Sequence, residues 1–287
     1  MSVADTTFAI RRILVALDAS PHSLAALETA VDLATKMHAE LCGLFVEDVE
    51  LLRIAESPWA REVAYPTATA GPLNRTIMER ELRAQSEQIR STLATAAHRA
   101  QVRWSFQSVR GQVTSALLAA ATENDIVAVG RLGWSFGRGL RIGSTALELA
   151  TSRIPLLLIS QRAVLGNRRL LVYYDGSAAS KTALLFAVKL DGAKGITVLV
   201  NAADYEDKLQ EIRNLLRGRD IEVRCRRIDM VEKSNLLRAM KEERAGMLVL
   251  ASRQLLEDSE AFEALLREVE APLLLLGNGF GRNEMKS

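Results

Sequence analysis

An internal repeat dictates what this chain can fold into. Residues 11–34 read RRILVALDASPHSLAALETAVDLA and residues 168–191 read RRLLVYYDGSAASKTALLFAVKLD, and the two align without a gap. They share two arginines, many apolar positions and the pairs Asp18/Asp175, Ser20/Ser177 and Ser23/Ser180. The ends of the two halves also match, because RIPLLLIS at 153–160 corresponds to EAPLLLLGN at 270–278. We infer a tandem duplication, so the chain should contain the same fold twice.

Each half alternates short apolar runs with segments of helical spacing. The first half has strand patterns at 13–17, 41–46, 102–109, 126–129 and 156–159, and helical patterns at 23–37, 76–99, 114–123 and 144–151. The later strands of the second half are predicted at 196–200, 221–228, 247–250 and 273–276. Strands that are apolar on both faces and separated by helices are typical of buried parallel sheets with helical crossovers. The predicted fold class is therefore α/β with parallel strands.

The two halves differ mainly by residues 48–75, which have no counterpart in the second half. This stretch contains Pro58, Pro66 and Pro72 and shows no steady period. We expect a long surface excursion near the carboxyl edge of the sheet, either a lid or binding segment or a disordered loop. Residues 161–168 join the halves and are too few for a flexible tether, so the halves should pack tightly.

Composition narrows the class of protein. The chain has 287 residues, 48% of them hydrophobic and 25% charged, and its net charge of +2 gives no support to nucleic-acid binding. Cys42 and Cys225 lie far apart in the sequence, which favours reduced thiols over a disulfide framework. The N-terminal residues show no signal-peptide pattern, and no apolar run approaches the ~18 residues needed to span a bilayer. We therefore expect a soluble cytoplasmic protein with no nucleic-acid or membrane partner.

A glycine-rich stretch after the fourth predicted strand is the candidate functional site. Residues 130–145 read GRLGWSFGRGLRIGST, follow the apolar run IVAV and precede a helical pattern. Glycine lets the backbone approach a ligand closely, and the first N–H groups of a helix lack intrahelical partners, so such a loop can bind an anion. We expect it to hold the phosphates of a nucleotide. The alternative is that its glycines only form turns.

A Walker motif and a metal-ligand spacing do not occur in the sequence. The loop is not a Walker motif, because Ser144 stands where a lysine would follow the last glycine. No Cys–His pairing is visible. His22, His38 and His98 are scattered without the spacing of metal ligands. The sequence therefore identifies no catalytic residue and no metal-binding residue.

Together these motifs resemble the universal stress protein (UspA-type) family in its tandem two-domain form. The first strand, ILVALDAS, carries the aspartate and serine of the family's strand-one signature, and the second strand ends in LFVED. The glycine signature of the family is matched by Gly130, Gly133, Gly143 and Ser144. The resemblance covers residues 8–160 and 167–277 and implies two tandem Rossmann-like, adenine nucleotide alpha hydrolase-like domains. Each would be an open five-stranded parallel sheet with helices on both faces, and the two would form a pseudo-dimer.

The resemblance also implies that ATP lies across the carboxyl ends of the first and fourth strands of the first domain. A general rule for open α/β sheets gives the same place. The positions carried over are Ala16, Asp18, Val46, Val129, Gly130, Gly133, Gly143, Ser144 and Thr145. Ala16 and Asp18 would lie beside the base and ribose, and Val46 would offer its backbone to adenine. Val129 and Gly130 would lie near the ribose. The phosphates would be held by Gly133, Gly143, Ser144 and Thr145. ADP or AMP stays open as the ligand, and Mg²⁺ would accompany the nucleotide. The alternative for Asp18 is that its carboxylate only caps the following turn.

The second half departs from this pattern. Asp175, Gly176 and Ser177 are retained, but SRQLLEDSEAFEALL follows the fourth strand, without a glycine pair or a Gly-Ser step. Glu257 and Asp258 stand where a phosphate would need positive charge, and like charges would repel it. We expect the second half to bind no nucleotide.

Three functions fit these observations. The first is an ATP-binding regulatory protein of the stress response without rapid turnover, which is the role that the resemblance implies. The second is a slow ATPase or phosphotransferase, in which Asp18 would have to serve Mg²⁺ or an attacking water; the missing lysine and the lack of a second acidic or basic partner argue against it. The third is a protein-interaction scaffold with an unused site, whose final strands at 156–159 and 273–276 would join domains. Pairing of the two halves within one chain could stand in for a dimer of single domains, and a homodimer of the whole chain stays open.

Overall fold

The structure is a computed structural model of the chain. It describes residues 10–18, 20–56, 61–64, 69–72, 75–122, 124–130, 144–150, 152, 154–160, 168–190, 195–229, 233–251, 260, 264–265 and 268–276. The limits of the two domains, 8–160 and 167–277, stay predictions, because residues 8, 167 and 277 lie outside the described part of the chain.

The elements follow the predicted order in both halves. In the first half they are β1 (Arg12–Leu17), α1 (Pro21–Met37), β2 (Glu40–Asp48), α2 (Val49–Ala55), β3 (Arg61–Ala64), β4 (Thr69–Pro72), α3 (Arg75–Arg99), β5 (Trp104–Gly111), α4 (Val113–Ala120), β6 (Asp125–Gly130), α5 (Ser144–Ala150) and β7 (Leu156–Ile159). In the second half they are β8 (Leu170–Tyr174), α6 (Ala178–Lys189), β9 (Ile196–Asn201), a 3₁₀ turn (Ala202–Asp204), α7 (Tyr205–Leu215), β10 (Val223–Ile228), α8 (Lys233–Glu242), β11 (Met247–Leu250) and β12 (Leu273–Leu275). Every strand predicted from the sequence is present.

A 10-stranded sheet runs through both halves in the order β10-β9-β8-β11-β12-β7-β6-β1-β2-β5. Within each half the strands of this sheet are parallel. If they are numbered 1 to 5 along the chain of each half, their order across the sheet is 3-2-1-4-5 in both. The halves meet where β7 and β12 pair antiparallel, with Leu158 opposite Leu273 and Leu156 opposite Leu275. The predicted α/β fold class is confirmed, and the close packing expected of the halves is achieved by a shared sheet.

Helices cover both faces of the sheet. α1, α3, α6 and α7 lie on one face, and α4, α5 and α8 lie on the other. Side chains alternate between the faces along each strand, so Ile13 joins the first core and Leu14 the second. Both cores continue across the junction of the halves, because Leu157 and Leu274 face the first core and Leu158 faces the second. None of the described helices is long and apolar enough to cross a bilayer.

The repeated serines of the sequence start the first helix of each half. Ser20 is the N-cap of α1, and its Oγ accepts a hydrogen bond from the N–H of Ser23 at 3.1 Å. Ser177 caps α6 in the same way, with Ser180 as the donor at 3.1 Å. Each cap satisfies an N–H group that has no partner within its helix.

Residues 48–75 contain more regular structure than expected. α2 and the antiparallel hairpin of β3 and β4 occupy part of this stretch. The Oδ1 atom of Asp48 accepts a hydrogen bond from the N–H of Glu50 at 2.9 Å, at the start of α2, and Leu52 is buried. These elements were not predicted, because elements this short do not span enough residues to show a period in the sequence.

A buried ion pair joins β1 to β6. Arg12 Nη2 lies 2.6 Å from Asp125 Oδ2, and Asp125 is 2% exposed. Arg12 Nη2 also donates to the carbonyl oxygen of Ala120 at 2.7 Å, so the pair connects both strands to the end of α4. Arg169 is the counterpart of Arg12 in the second half, and it pairs with Glu222, whose side chain is 58% exposed. The carboxylate of the first pair is therefore shielded from water, and the carboxylate of the second is not.

Arg12→Ala should lower the free energy of unfolding by about 3–5 kcal/mol, because the buried carboxylate of Asp125 loses its charge partner. Arg169→Ala is the matched control. It leaves a carboxylate that water can solvate, so its loss should be clearly smaller. Urea unfolding of both variants, followed by circular dichroism, gives the two values, and equal losses would contradict this difference in shielding.

Candidate functional site

The carboxyl ends of β2, β1 and β6 lie side by side at one edge of the sheet. β1 pairs with β2, with Ala16 opposite Leu44, and with β6, with Val15 opposite Ala128. The chain proceeds from β1 to β2 in one direction across the sheet and from β6 to β7 in the other. Such a reversal is where ligands of open α/β sheets bind. It brings the ends of all three strands that carry predicted site residues to one place.

Three of the predicted residues contribute an apolar surface at this edge. Ala16, Val46 and Val129 face the side of the sheet that α4 and α5 cover. Val129 is 4% exposed, whereas Ala16 and Val46 are half-buried. Val109 and Val113 are also half-buried on this side and extend the surface. The edge therefore offers a half-open apolar surface that suits a flat, largely apolar ring.

Asp18 lies next to this surface and is exposed. Its Oδ1 accepts a hydrogen bond from the N–H of Ser20 at 3.0 Å, and its own N–H donates to Ser23 Oγ at 3.3 Å. The carboxylate thus stabilises the turn into α1, as the alternative interpretation of this residue requires. Among the described residues, Oδ2 makes no hydrogen bond, so one oxygen of Asp18 can accept a bond from a ligand.

Gly130 ends β6 in direct contact with the start of α1. A Cβ atom on Gly130 would lie 2.9 Å from His22 Cβ and 3.0 Å from the carbonyl carbon of His22. These distances leave no room for a side chain. The glycine therefore has a steric role, since it lets the end of β6 approach the turn that carries Asp18.

The phosphate-binding part of the predicted site falls largely outside the described residues. Gly133 and Gly143 belong to the undescribed stretch 131–143. Ser144 is the first residue of α5, and Thr145, the next residue, is half-buried. Ala146 and Leu149 attach α5 to the sheet, and each is 1% exposed. The described residues contain no cluster of His, Cys, Asp and Glu that could hold a metal ion.

Residues 9–160 match the profile of the universal stress protein family, and this match spans more than half of the chain. The chain belongs to the universal stress protein family. None of the curated proteins matches it. A universal stress protein from Archaeoglobus fulgidus DSM 4304 has a similar structure, with 18% identity, a TM-score of 0.70, and coverage of 93% of this chain and 98% of that chain. A putative universal stress protein from Pseudomonas aeruginosa UCBPP-PA14 is 12% identical with a TM-score of 0.58, and 94% of each chain is covered. A universal stress protein solved in complex with cAMP is 21% identical over 53% of this chain and 97% of that chain, with a TM-score of 0.37.

The second half of this universal stress protein closes the corresponding surface with a tyrosine. In the repeat, Tyr173 stands where the first half has Ala16. Tyr173 faces the same side of the sheet as Ala16 and is 3% exposed. Burial, together with the negative charges of Asp175 and Asp204, raises the pKa of Tyr173 to about 12. The space above the end of β8 is therefore filled by the protein's own side chain.

The turn after β8 is held by contacts within the protein. Asp175 Oδ1 accepts a hydrogen bond from the N–H of Ser177 at 2.8 Å, and Gly176 has a φ of +82°. A Cβ on Gly176 would overlap Lys208 Nζ, and Lys208 pairs with Glu211 at 3.1 Å. Burial raises the pKa of the Asp175 carboxyl, but hydrogen bonds from Ser177 and its neighbours outweigh this effect and lower it. The retained Asp-Gly-Ser turn thus has a structural role.

Sequence reasoning missed Tyr173. The gapless alignment of the repeat already placed it opposite Ala16. The difference in side-chain size between Ala16 and Tyr173 was the signal, but it can be interpreted only when the face of the strand that carries the site is known. The expected absence of nucleotide from the second half was argued instead from the stretch after β11, and Glu257 and Asp258 in that stretch lie outside the described residues.

Gly130→Ala should lower the free energy of unfolding by about 1–3 kcal/mol, because the new Cβ would overlap His22. Gly111→Ala is the matched control, since a Cβ on Gly111 at the end of β5 meets no atom within 4 Å. Urea unfolding of both variants tests this difference. If Gly130→Ala were as stable as the control, the close approach of β6 to α1 would be refuted.

Proposed function

We propose that the first half of this universal stress protein binds an adenine nucleotide, with ATP and its Mg²⁺ as the working ligand, and that the bound nucleotide regulates the protein without rapid turnover. The observation that carries the proposal is the half-open apolar surface of Ala16 and Val46 beside the carboxylate of Asp18. An apolar surface with a few polar groups at its border is the usual composition of a small-molecule site.

Each part of a nucleotide has a suitable place at this edge. The base would pack on Ala16 and Val46, and Asp18 Oδ2 would accept a hydrogen bond from a ribose hydroxyl. Gly130 leads from this surface into the glycine-rich stretch. The backbone of that stretch at Gly133 and Gly143, followed by Ser144 and Thr145, would hold the phosphates, as the sequence predicts.

The contrast between the halves supports one site for each chain. Both halves retain an aspartate that accepts a hydrogen bond from the second N–H along the turn. They differ in the space next to it, which is half-open above Ala16 and filled by Tyr173 in the second half. Without an adjoining open surface an aspartate can still hold a turn, but a nucleotide base has no surface beside it on which to pack.

A regulatory role requires that the nucleotide bind one conformation of the protein better than another. The proposal assigns no residue to the transfer of the γ-phosphate, and the glycine-rich stretch has no lysine after its last glycine. Incubation of the purified protein with ATP over hours separates this role from that of a slow ATPase. Release of ADP in step with protein concentration, and its loss in a site variant, would favour the enzyme.

Asp18→Ala should weaken ATP binding by about tenfold or more, because a charged hydrogen-bond acceptor at the ribose is lost. Asp175→Ala is the matched control. It removes the same turn hydrogen bond from the second half, so the cost in stability should be similar while the affinity stays unchanged. Calorimetric titration with ATP, ADP and AMP, with and without Mg²⁺, measures both variants. A loss of ATP affinity in Asp175→Ala but not in Asp18→Ala would mean that the site lies in the second half, and it would refute the proposal.

Ala16→Tyr gives the first half the side chain that fills the second. It should weaken nucleotide binding by about tenfold or more, because the ring would take the space of the base. The reciprocal variant, Tyr173→Ala, should still bind one nucleotide for each chain, because the second half has no glycine-rich stretch. Circular dichroism should show that both variants are folded. Unchanged affinity in folded Ala16→Tyr would refute the proposed position of the base.

A further inference from the structure

A groove lies between α7 and the outermost strand of the second half, β10. Its volume is about 390 Å³, which is within the range of sites for small molecules. Leu209, Ile212 and Leu216 line it from the helix side. Ile221, Val223 and Cys225 line it from the strand side. The groove is far along the sheet from the proposed nucleotide site, because five strands (β9, β8, β11, β12 and β7) lie between β10 and β6, the nearest strand of that site.

At the groove the second half has small side chains where the first half has aromatic ones. Ile13 pairs with Leu41 and Leu41 with Trp104, and in the second half Leu170 pairs with Ile196 and Ile196 with Val223. Since Leu170 is the counterpart of Ile13 in the repeat, Val223 stands in the place of Trp104. By the same register, Cys225 stands in the place of Phe106.

In the first half the two aromatic side chains fill this space. Trp104 and Phe106 pack against the core beneath α3, and the ring of His98 contacts Trp104 edge-on at a centroid distance of 6.1 Å. α3 has 25 residues, whereas α7 has 11. Val223 and Cys225 are half-buried, as Trp104 and Phe106 are, so the halves differ here in side-chain volume and helix length.

The charges around the groove are positive. Arg213 and Arg219 line it together with the apolar residues, and no lining residue is acidic. Arg213 is close enough to act on the thiol of Cys225: burial raises the pKa of this thiol, and the charge of Arg213 opposes that shift. At the other end Tyr205 donates a hydrogen bond from its hydroxyl to the carbonyl oxygen of Cys225 at 3.2 Å, which fixes the helix against the strand.

We propose that this groove binds a small amphipathic anion, a carboxylate with an aliphatic body. The body would lie on the apolar side chains of α7 and β10, and the carboxylate would pair with the guanidinium group of Arg213. Arginine suits this role because its planar group offers paired donors to a carboxylate.

An extended peptide that adds a strand to β10 is the other occupant of such a place, and the charges along the strand disfavour it. Arg224 pairs with Glu222, and Arg226 pairs with Glu242 and Glu243. Charged side chains on an edge strand are a common means of preventing strand addition. The small anion is therefore the better match to the groove.

Decanoate is the probe for this site. Calorimetric titration of the full chain should show saturable binding of one decanoate, and decylammonium, which has the same chain and the opposite charge, should not bind. Saturating ATP should leave decanoate binding unchanged. Absence of saturable binding, or equal binding of decylammonium, would overturn the proposal.

Two variants test the position of the ligand. Cys225→Phe copies the residue of the first half and should lower the affinity for decanoate by about tenfold or more by filling the groove. Arg213→Glu should lower it by about tenfold or more through loss of the charged pair. Arg217→Glu makes the same change of charge at an exposed residue that does not line the groove, and it should bind decanoate like the unchanged protein.

Protection of a thiol provides a second measurement. Decanoate should slow the alkylation of half-buried Cys225, while fully buried Cys42 serves as the unreactive reference. Unchanged affinity in folded Cys225→Phe, or equal losses in Arg213→Glu and Arg217→Glu, would overturn the proposal. So would binding of an acidic peptide that protects the amides of β10 from hydrogen exchange and is not displaced by decanoate.

Discussion

The antiparallel pairing of β7 with β12 is the interaction on which the rest of the structure depends. Leu156, Leu157 and Leu158 lie opposite the leucines of β12, and all of these side chains are almost fully buried. Ser160 Oγ also donates to the carbonyl oxygen of Glu270 at 2.5 Å. Without this pairing each half would expose a flat strand of leucines, which is prone to association with other chains. Because of the pairing, neither β7 nor β12 is an edge strand, and the cores of the two halves merge.

The direction of this pairing separates the two repeated turns. β7 runs parallel to β1, and β12 runs parallel to β8, so antiparallel pairing of β7 with β12 sends the carboxyl ends of β1 and β8 to opposite edges of the sheet. The turns that follow β1 and β8 therefore cannot meet at one ligand. Each half has to satisfy its own turn, and this allows the two copies to differ in function.

The copies differ mainly in where they fill space. At the carboxyl ends of the first strands, the first half has Ala16 and the second has Tyr173, which closes the surface. At the outermost strands the relation is reversed, because the first half has aromatic side chains and the second has Val223 and Cys225. The same backbone arrangement thus leaves an open surface at different places in its two copies. Changes of side-chain volume at a few positions are enough, because the surrounding core is close-packed and cannot relax to fill a gap.

Most of the fold could be predicted from the sequence, because its signals are local. Short apolar runs marked most of the strands of both halves. The repeat showed that one fold occurs twice. The predicted residues of the nucleotide site are at the ends of β1, β2 and β6, which the sheet brings together, while Gly133 and Gly143 lie outside the described residues.

The remaining features depend on which distant segments touch, and only the tertiary structure decides that. The face on which Tyr173 lies, the contact of Gly130 with His22 and the groove beside Cys225 each join residues from different elements. α2 and the hairpin of β3 and β4 are too short for a sequence period. Spacing along the chain therefore determined the elements and their order, whereas the volumes left between them follow from packing, which no local pattern records.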